Sequence, residues 1–228
     1  MIVAAHQPYF APFGGFFHKI HLADTFVILD TVQYPRGTTW MSRNRFKNAQ
    51  GTLWLTIPTL KKGLGLQRID EVRICDDGRW ARKHLDSIRT AYAHAPYLAD
   101  HAVFIEELFS GKHERLLDLN MDIVLYLLEI FPIRTEVTLL SDLGIKTKGT
   151  RLIIDICRAL GSSRYLVQSS AMKYVDPKAF QDAGIQLHCF RYPSPIYPQL
   201  WGEFLPNLSA WDLVLNCGPK AWELLTNK

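Results

Sequence analysis

The sequence predicts an α/β protein: one domain with a mostly parallel, Rossmann-like sheet flanked by helices, a helical insertion over about residues 98–131 and a helical C-terminus. Short apolar runs typical of strands alternate with stretches of helical period along most of the chain. The first run, residues 2–5, shows no polar alternation, which is typical of a strand inside a parallel sheet. With 228 residues and 48% hydrophobic content, the chain can bury a full core. No Pro/Gly/Ser-rich linker divides it, so residues 1–228 are predicted to form one domain.

The N-terminal part of the chain predicts a strand, a loop, a helix and a second strand. Pro8 and Pro12 exclude a regular helix between them, because proline lacks the backbone N–H. Gly14 then opens an amphipathic stretch. Up to residue 92 the predicted elements are a strand at 2–5, a helix at 16–24, a strand at 25–29, a turn at 46–51 that favours a hairpin with a strand at 52–57, a strand at 69–74 and a helix at 80–92.

The rest of the chain continues the alternation after two helical stretches. Gly161 closes one amphipathic helix in the usual C-terminal position, and Asp176 precedes Pro177 at the start of another. Ser209 is a credible N-cap for the last pair of helices. The predicted elements are helices at 98–109 and 114–131, a strand at 135–140, a helix at 152–160, a strand at 164–168, a helix at 177–183 and a strand at 185–190.

Composition narrows the function classes. The net charge of +4 is spread along the chain, whereas a nucleic-acid-binding protein more often has a concentrated basic face or a reading motif. No stretch reaches the roughly 20 apolar residues of a membrane span, and the N-terminus starts directly in a strand without the features of a signal peptide. We therefore expect a cytoplasmic protein that binds small molecules, with no nucleic acid and no membrane span. The oligomeric state stays open.

The four cysteines lie far apart in the sequence, each within or beside an apolar segment. No CxxC motif is present, so a zinc site would have to be assembled from distant positions. Small buried thiols in a reducing compartment are the simpler interpretation. We expect neither a disulfide nor a metal site from Cys75, Cys157, Cys189 and Cys217.

Polar and aromatic side chains follow the first two predicted strands. His6 comes directly after the first strand and Asp30 ends the second. The carboxyl ends of parallel strands meet on one side of a sheet, and ligands bind in the crevice beyond them. We therefore expect one pocket lined by His6, Gln7, Asp30, Gln33, Tyr34, Arg43 and Arg45.

The two arginines of this set stand two residues apart. On an extended segment Arg43 and Arg45 would point the same way and form a doubly positive wall against a phosphate or a carboxylate. The alternative is that both form surface salt bridges.

Six segments are the most distinctive parts of the sequence: HQPYFAPFGGFFHKI, VILDTVQYPRGTTWMSRNRFK, WARKHLDSI, TRLIIDICRALG, KYVDPKAF and YPQLWGEFLPNLSAWDLVLNCGP. Together they resemble the WbqC-like protein family over nearly the entire chain. Members of that family are encoded in bacterial O-antigen and other polysaccharide gene clusters, and a glycine (aminoacyl) transferase role is suggested for some. The resemblance implies a transferase of surface-polysaccharide or related nucleotide-sugar biosynthesis.

The resemblance also marks candidate site residues. The HQPNY-like start of the family reads HQPYF here, so an Asn after Pro8 is absent and Tyr9 stands in its place. Packing against the core is the alternative for Lys83 and His84, and ordinary helix polarity is the alternative for Asp212 and Asn216. The candidate substrate-binding residues are Gln7, Tyr9, Gln33, Tyr34, Trp40, Arg43, Asn44, Arg45, Lys83, His84, Gln199, Asp212 and Asn216.

Two function classes fit these residues. In a transferase, His6 would take a proton from an amine nucleophile with its ordinary pKa near 6.5, and Asp30 would orient the imidazole or hold the acceptor amine. The chain has no GxSxG elbow and no Walker loop, which favours direct transfer without a covalent intermediate. The donor stays open between ATP with an amino acid and a preactivated aminoacyl or acyl compound. The alternative is a non-catalytic protein that binds carbohydrate or nucleotide sugar.

Overall fold

A computed structural model describes residues 1–76, 78–111 and 113–226 and shows the α/β architecture that the sequence predicts. A five-stranded parallel sheet has the order β5-β2-β1-β6-β7, and a separate antiparallel hairpin pairs β3 with β4. The strands are β1 Ile2–His6, β2 Thr25–Ile28, β3 Arg43–Asn48, β4 Gly51–Thr56, β5 Glu136–Leu139, β6 Arg164–Gln168 and β7 Gln186–Phe190. The α-helices are α1 Gly14–His21, α2 Trp80–Ala91, α3 Leu98–Ser110, α4 Leu116–Ile130, α5 Gly149–Ala159, α6 Pro177–Asp182, α7 Ala210–Cys217 and α8 Lys220–Thr226.

The chain divides into two compact units. The first comprises Met1–Pro8, His18–Val32 and Ile133–Pro193 and holds the parallel sheet. The second comprises Tyr9–Phe17, Gln33–Pro132 and Ser194–Lys228 and holds the hairpin and most of the helices. The organisation of residues 1–228 as one domain stays a prediction.

One buried apolar cluster of the first unit lies on one face of the sheet. Alternate residues of a strand point to the same face, so Val3 and Ala5 of β1 face the same side. Helices α5 and α6 cover that side, since their apolar residues belong to the same buried cluster. Its members are Val3, Ala5, Val27, Leu140, Leu152, Ile154, Ile156, Cys157, Tyr165, Val167, Phe180 and Ile185.

The first strand lies in the middle of the sheet, as its uninterrupted apolar run predicted. From β1 the chain proceeds to β2 and outward to β5, and it then returns to the opposite side of β1 with β6. The winding direction therefore reverses between β1 and β6, the kind of position where open parallel sheets bind ligands. These two strands pair at Ile2–Arg164 and Val3–Tyr165, whereas β1 and β2 stay paired up to His6–Ile28. His6 thus borders the switch point at the carboxyl end of β1.

In the second unit, the prediction of a strand at residues 69–74 is wrong. Residues 69–74 show the alternation of a strand, but Ile69–Glu71 forms a 3-10 helix. The Arg68 backbone N–H donates to the Glu71 carboxylate, and Ile69 is fully buried. A local cap and one buried apolar side chain therefore favour a turn of helix, and only isolated bridges at Arg73 and Ile74 remain of the strand.

A buried polar network ties the hairpin of the second unit to its C-terminal segment. The Asp212 carboxylate, 1% exposed, accepts hydrogen bonds from the hydroxyls of Tyr92 and Tyr197, each at 2.8 Å. The Lys47 ammonium on β3 donates to Gln199 Oε1 at 3.1 Å. Burial raises the pKa of Asp212, while these hydrogen bonds and the charge of Lys47 act in the opposite direction. The network keeps a carboxylate in an apolar setting because its oxygens have partners.

The state of the cysteines and the character of the helices bear on two expectations from the sequence. All four cysteines are free: Cys157 and Cys217 are buried, Cys75 is half-buried and Cys189 is exposed. Of the helices in the described ranges, none combines the length and apolar character that a membrane crossing requires.

Replacing Asp212 with Ala is expected to destabilise the protein strongly, because two buried hydroxyls would lose their acceptor at roughly 1–3 kcal/mol each. We expect a total loss of about 2–6 kcal/mol in the free energy of unfolding, measured by urea denaturation. Asp86→Ala is the matched control, since the Asp86 side chain is 60% exposed. Equal midpoints for the two variants would contradict the role given to the network.

Candidate functional site

The carboxyl end of β1 places His6 beside the switch point of the sheet. The strand ends there because Pro8 has no N–H for a further ladder bond. The side chain of His6 is partly buried, and its Nδ1 lies 2.9 Å from the carbonyl oxygen of Gln7. A carbonyl only accepts hydrogen bonds, so Nδ1 carries the proton and Nε2 keeps its lone pair.

Lys19 of α1 completes this site from within the first unit. The residue is 5% exposed, and its Nζ donates to the carbonyl oxygen of Ala5 at 2.8 Å. Burial lowers the pKa of Lys19 to about 7. Burial, and secondly the charge of Lys19, lower the pKa of His6 to about 3, against the opposing effect of the hydrogen bond to Gln7. At neutral pH, His6 is therefore neutral and Lys19 is about half deprotonated.

These pKa values correct one premise of the sequence analysis. An ordinary pKa near 6.5 would make His6 the natural base at neutral pH. In the folded protein the imidazolium form is strongly disfavoured, and the Lys19 amine has the pKa that suits proton transfer near pH 7. Because the two groups interact, they titrate as a pair rather than as independent sites.

Lys19 was missed by the sequence analysis, although the sequence carries a signal for it. The residue lies in an amphipathic helix among Phe16, Phe17 and Ile20, all of them buried. A lysine within such an apolar stretch is unusual, because burying an ammonium group costs free energy unless it is paired or neutralised. That cost is the physical reason to look for chemistry at Lys19.

Asp30 holds the loop that follows β2. The residue is 1% exposed, and its Oδ1 accepts from the backbone N–H of Ser141 at 3.0 Å. Ser141 begins the 3-10 helix Ser141–Leu143, so the carboxylate satisfies one of the donors at that helix start. Asp30 therefore connects the carboxyl ends of β2 and β5 within the first unit.

The second unit presents two arginines and two tryptophans on the hairpin. Arg45 lies opposite Trp54 in the β3–β4 register. The guanidinium carbon of Arg43 is 3.8 Å from the ring centroid of Trp54, and that of Arg45 is 6.0 Å from the centroid of Trp40. The two indole centroids are 5.8 Å apart. Arg43, Arg45, Trp40 and Trp54 thus form one cluster, which we call the Trp–Arg platform.

The two arginines differ in their hydrogen bonds. Arg45 Nη2 donates to the carbonyl oxygens of Pro206 at 3.2 Å and Asn207 at 2.9 Å, so it fastens the C-terminal segment of the second unit. Within the described residues neither Arg43 nor Arg45 forms a salt bridge, and the surface ion-pair alternative does not apply there. Arg43 keeps the role of an anion-binding candidate.

Several other candidate residues of the second unit hold its structure. The Asn44 amide donates to the carbonyls of Phe10 at 2.9 Å and Ala11 at 2.7 Å, which fixes the loop before α1. Ala11 has a φ of 42°, a strained value for a residue with a Cβ, so this loop depends on such bonds. Gln199 and Asp212 belong to the buried network, and the Asn216 side chain donates back to the Asp212 carbonyl within α7.

The remaining candidates divide by exposure. On α2, Lys83 is exposed, whereas His84 is buried with Nδ1 2.7 Å from the Trp80 carbonyl oxygen, so packing accounts for His84. Gln33 is exposed, and its backbone forms a bridge with Arg68. Tyr34 is 4% exposed, and its hydroxyl has no partner among the described residues.

Two candidates stand at the loop after β1. Gln7 is partly buried, and its backbone carbonyl oxygen accepts the hydrogen bond from His6. Tyr9 stacks on Phe16 with ring centroids 6.4 Å apart, and burial raises the pKa of its hydroxyl.

The shared pocket stays a prediction. His6 and Asp30 belong to the first unit, and Gln33, Arg43 and Arg45 belong to the second.

Comparison with known proteins places this geometry in a context. The model of the WbqC-like protein family matches residues 7–224. The chain is also 31% identical over 225 residues to a Mycobacterium tuberculosis protein described as "Uncharacterized protein Rv1507c", covering 98% of this chain and 96% of that protein. No solved structure matches the chain significantly.

The buried Lys19 predicts a pH-dependent stability. The unfolded chain takes up a proton near the ordinary pKa of 10.5, while the folded protein holds it only below about 7, so stability rises with pH between these values. Between pH 7.5 and 9.5 the free energy of unfolding of the wild type, relative to Lys19→Met, is expected to rise by about 2.5 kcal/mol.

Urea denaturation at several pH values measures this difference. Lys83→Met is the matched control, because Lys83 is an exposed lysine on the surface of α2. If the free energy of unfolding of both methionine variants has the same pH dependence as that of the wild type, a lowered pKa of Lys19 in the folded protein is excluded.

Proposed function

The chain belongs to the WbqC-like protein family, and from this premise we propose that it is a transferase that moves an acyl or aminoacyl group, with glycyl as one candidate, onto an amino sugar. The proposed pathway is that of surface polysaccharides such as O-antigen, or of related nucleotide sugars. The observation that carries the proposal is the pair of partly exposed His6 and buried Lys19 at the carboxyl end of β1.

Acyl transfer to an amine requires a proton acceptor. The sugar amine attacks the carbonyl carbon of the activated donor, a C–N bond forms, and the bond from that carbon to the leaving group breaks. The attacking nitrogen gains positive charge and must lose one proton. A base whose protonation changes near the working pH serves this step best, and the Lys19 amine, with a pKa of about 7, gives the pair that property.

The pair can take this proton without forming a doubly charged state. When Lys19 is deprotonated, its charge no longer lowers the pKa of His6, so the imidazole becomes a better acceptor. In the neutral imidazole Nδ1 carries the proton and bonds to the Gln7 backbone carbonyl, so Nε2 is the nitrogen that takes up a further proton. His6 is partly exposed and Lys19 is buried, so we assign the acceptor position to His6 and the charge control to Lys19.

Substrate recognition is proposed for the remaining candidates. Exposed Gln33 can donate to and accept from sugar hydroxyls. Arg43 suits a phosphate or carboxylate because its guanidinium offers paired donors. The proposal keeps Asp30 as a residue that fixes the loop at the carboxyl end of β2, through its bond to Ser141.

A second candidate function is a non-catalytic protein that binds carbohydrate or nucleotide sugar. The Trp–Arg platform favours it, because exposed indoles beside a guanidinium serve binding without any chemistry. The two candidates differ in whether the protein forms a product.

The proposed function is tested by incubating the purified protein with nucleotide-linked amino sugars, amino acids and ATP, or with preactivated acyl donors. Mass spectrometry is expected to show an acylated sugar. Turnover should fall below about pH 7, because the charge of protonated Lys19 lowers the pKa of His6 and weakens it as a proton acceptor. Absence of any mass shift across the donors would favour the binding protein.

Variants at the pair separate catalysis from folding. Lys19→Arg keeps the charge but cannot lose its proton near pH 7, so turnover is expected to drop by roughly 10²–10⁴-fold. His6→Gln keeps a polar side chain and is expected to lose a similar factor. Lys83→Arg is the control and should retain wild-type turnover. A wild-type pH profile in Lys19→Arg would exclude the proposed role of the pair.

A further inference from the structure

Two tryptophans on the hairpin of the second unit are exposed side by side. Trp40 is 41% exposed and Trp54 is 43% exposed, although burial of an indole is favourable by several kcal/mol in general. Their centroids are 5.8 Å apart with an interplanar angle of 33°. Contiguous exposed apolar surface, such as these two adjacent rings provide, is typical of a binding surface.

The backbone holds the platform in place before any ligand binds. The Trp40 carbonyl accepts from the Phe10 N–H at 2.9 Å, and Met41, which follows it, is 1% exposed. Trp54 lies within β4, paired with β3 along the hairpin. Because hydrogen bonds fix the backbone at both tryptophans, that part of the ordering cost does not arise when a ligand stacks on the rings.

Arg43 gives the platform an uncompensated charge. Its guanidinium stacks on Trp54 at 3.8 Å and forms no hydrogen bond or ion pair with any residue in the described ranges. Its Nε is buried and lacks a partner there as well. A cation that is fixed over an aromatic ring, with its donors unused, is suited to an anion that reaches the ring surface.

We propose that Trp40, Arg43 and Trp54 form a binding site for a sugar phosphate, in which the pyranose ring packs on the indoles and the phosphate accepts hydrogen bonds from Arg43. The apolar C–H faces of a pyranose match an aromatic surface, and the guanidinium matches two phosphate oxygens. The inference rests on the proposed function, which it deepens by naming the sugar-binding residues.

Two arguments from the chemistry of the site favour this occupant over others. A neutral sugar would leave the guanidinium without an acceptor, and free phosphate would leave both indoles uncovered. Trp54 is the residue that the sequence analysis did not select, and its position opposite Arg45 in the register is what brings it to the platform.

Isothermal titration of the full chain with N-acetylglucosamine 1-phosphate, N-acetylglucosamine and inorganic phosphate tests the proposal. The sugar phosphate is expected to bind more tightly than either half of it. Arg43→Ala should weaken binding of the sugar phosphate by about ten- to hundredfold and leave the affinity for the neutral sugar unchanged. Trp40→Ala leaves the Arg43–Trp54 stack in place. It should weaken binding of the sugar phosphate by about tenfold and leave the affinity for inorganic phosphate unchanged.

Two controls match these variants. Tyr174→Ala removes an aromatic residue that is 76% exposed, with the Lys173 ammonium 4.9 Å from its ring centroid, and Arg82→Ala removes an exposed arginine. Both should bind the sugar phosphate like the wild type. Circular dichroism and melting curves of each variant show whether a loss of binding follows from a loss of folding.

The proposal is overturned if none of the three probes binds. It is also overturned if inorganic phosphate binds as tightly as the sugar phosphate and Trp40→Ala changes the affinity for neither of these two ligands. These titrations contain no acyl donor, so they do not depend on turnover. Binding with the expected variant pattern but no acylated product would reject the transferase and keep the sugar-phosphate site. Formation of an acylated product, together with unchanged sugar-phosphate binding in the Arg43 and Trp40 variants, would keep the transferase and reject the sugar-phosphate site.

Discussion

The chemistry proposed here depends on the burial of one ammonium group. Lys19 donates to the Ala5 carbonyl of the central strand, in a setting where a charged group is costly. That cost lowers the pKa of the amine to about 7, and burial together with the charge of Lys19 keeps His6 a neutral imidazole. A base with a useful pKa at neutral pH is therefore a consequence of where α1 packs, and the stability lost by burying Lys19 has a catalytic use in the proposed transferase.

In the second unit, the charged side chains of β3 differ in whether the fold supplies them with hydrogen-bond partners. Lys47 and Arg45 are satisfied by the C-terminal segment, through Gln199 and through the carbonyls of Pro206 and Asn207. Arg43, on the same side of β3, is left with the Trp54 ring. Polar groups that the fold satisfies stabilise it, and the one guanidinium of this side that has no described acceptor is the group offered to a ligand. This contrast distinguishes the structural arginine from the binding one, although the sequence presents them two residues apart.

Most of the secondary structure could be predicted from local pattern. The apolar run of β1, the cap at Asp176, the N-cap at Ser209 and the glycine after α5 each act through neighbours in the sequence, and each lies where it was expected. The segment at 69–74 failed because alternation is also compatible with a turn of helix, and the choice there was made by the Arg68–Glu71 cap and the burial of Ile69. The division into two units was not visible, because no linker composition marks it.

By itself, the sequence determined the α/β class, the central place of the first strand and the family, because hydrophobic period and motif order are local properties of the chain. It also marked His6 and Arg43 as candidates by residue type. Only the tertiary structure decided what these residues can do. The pKa of His6 depends on burial and on Lys19, thirteen residues away in sequence, and the binding role of Arg43 depends on the ring of Trp54 across the hairpin. Solvent exclusion and stacking arise from residues brought together by folding, so no local pattern encodes them.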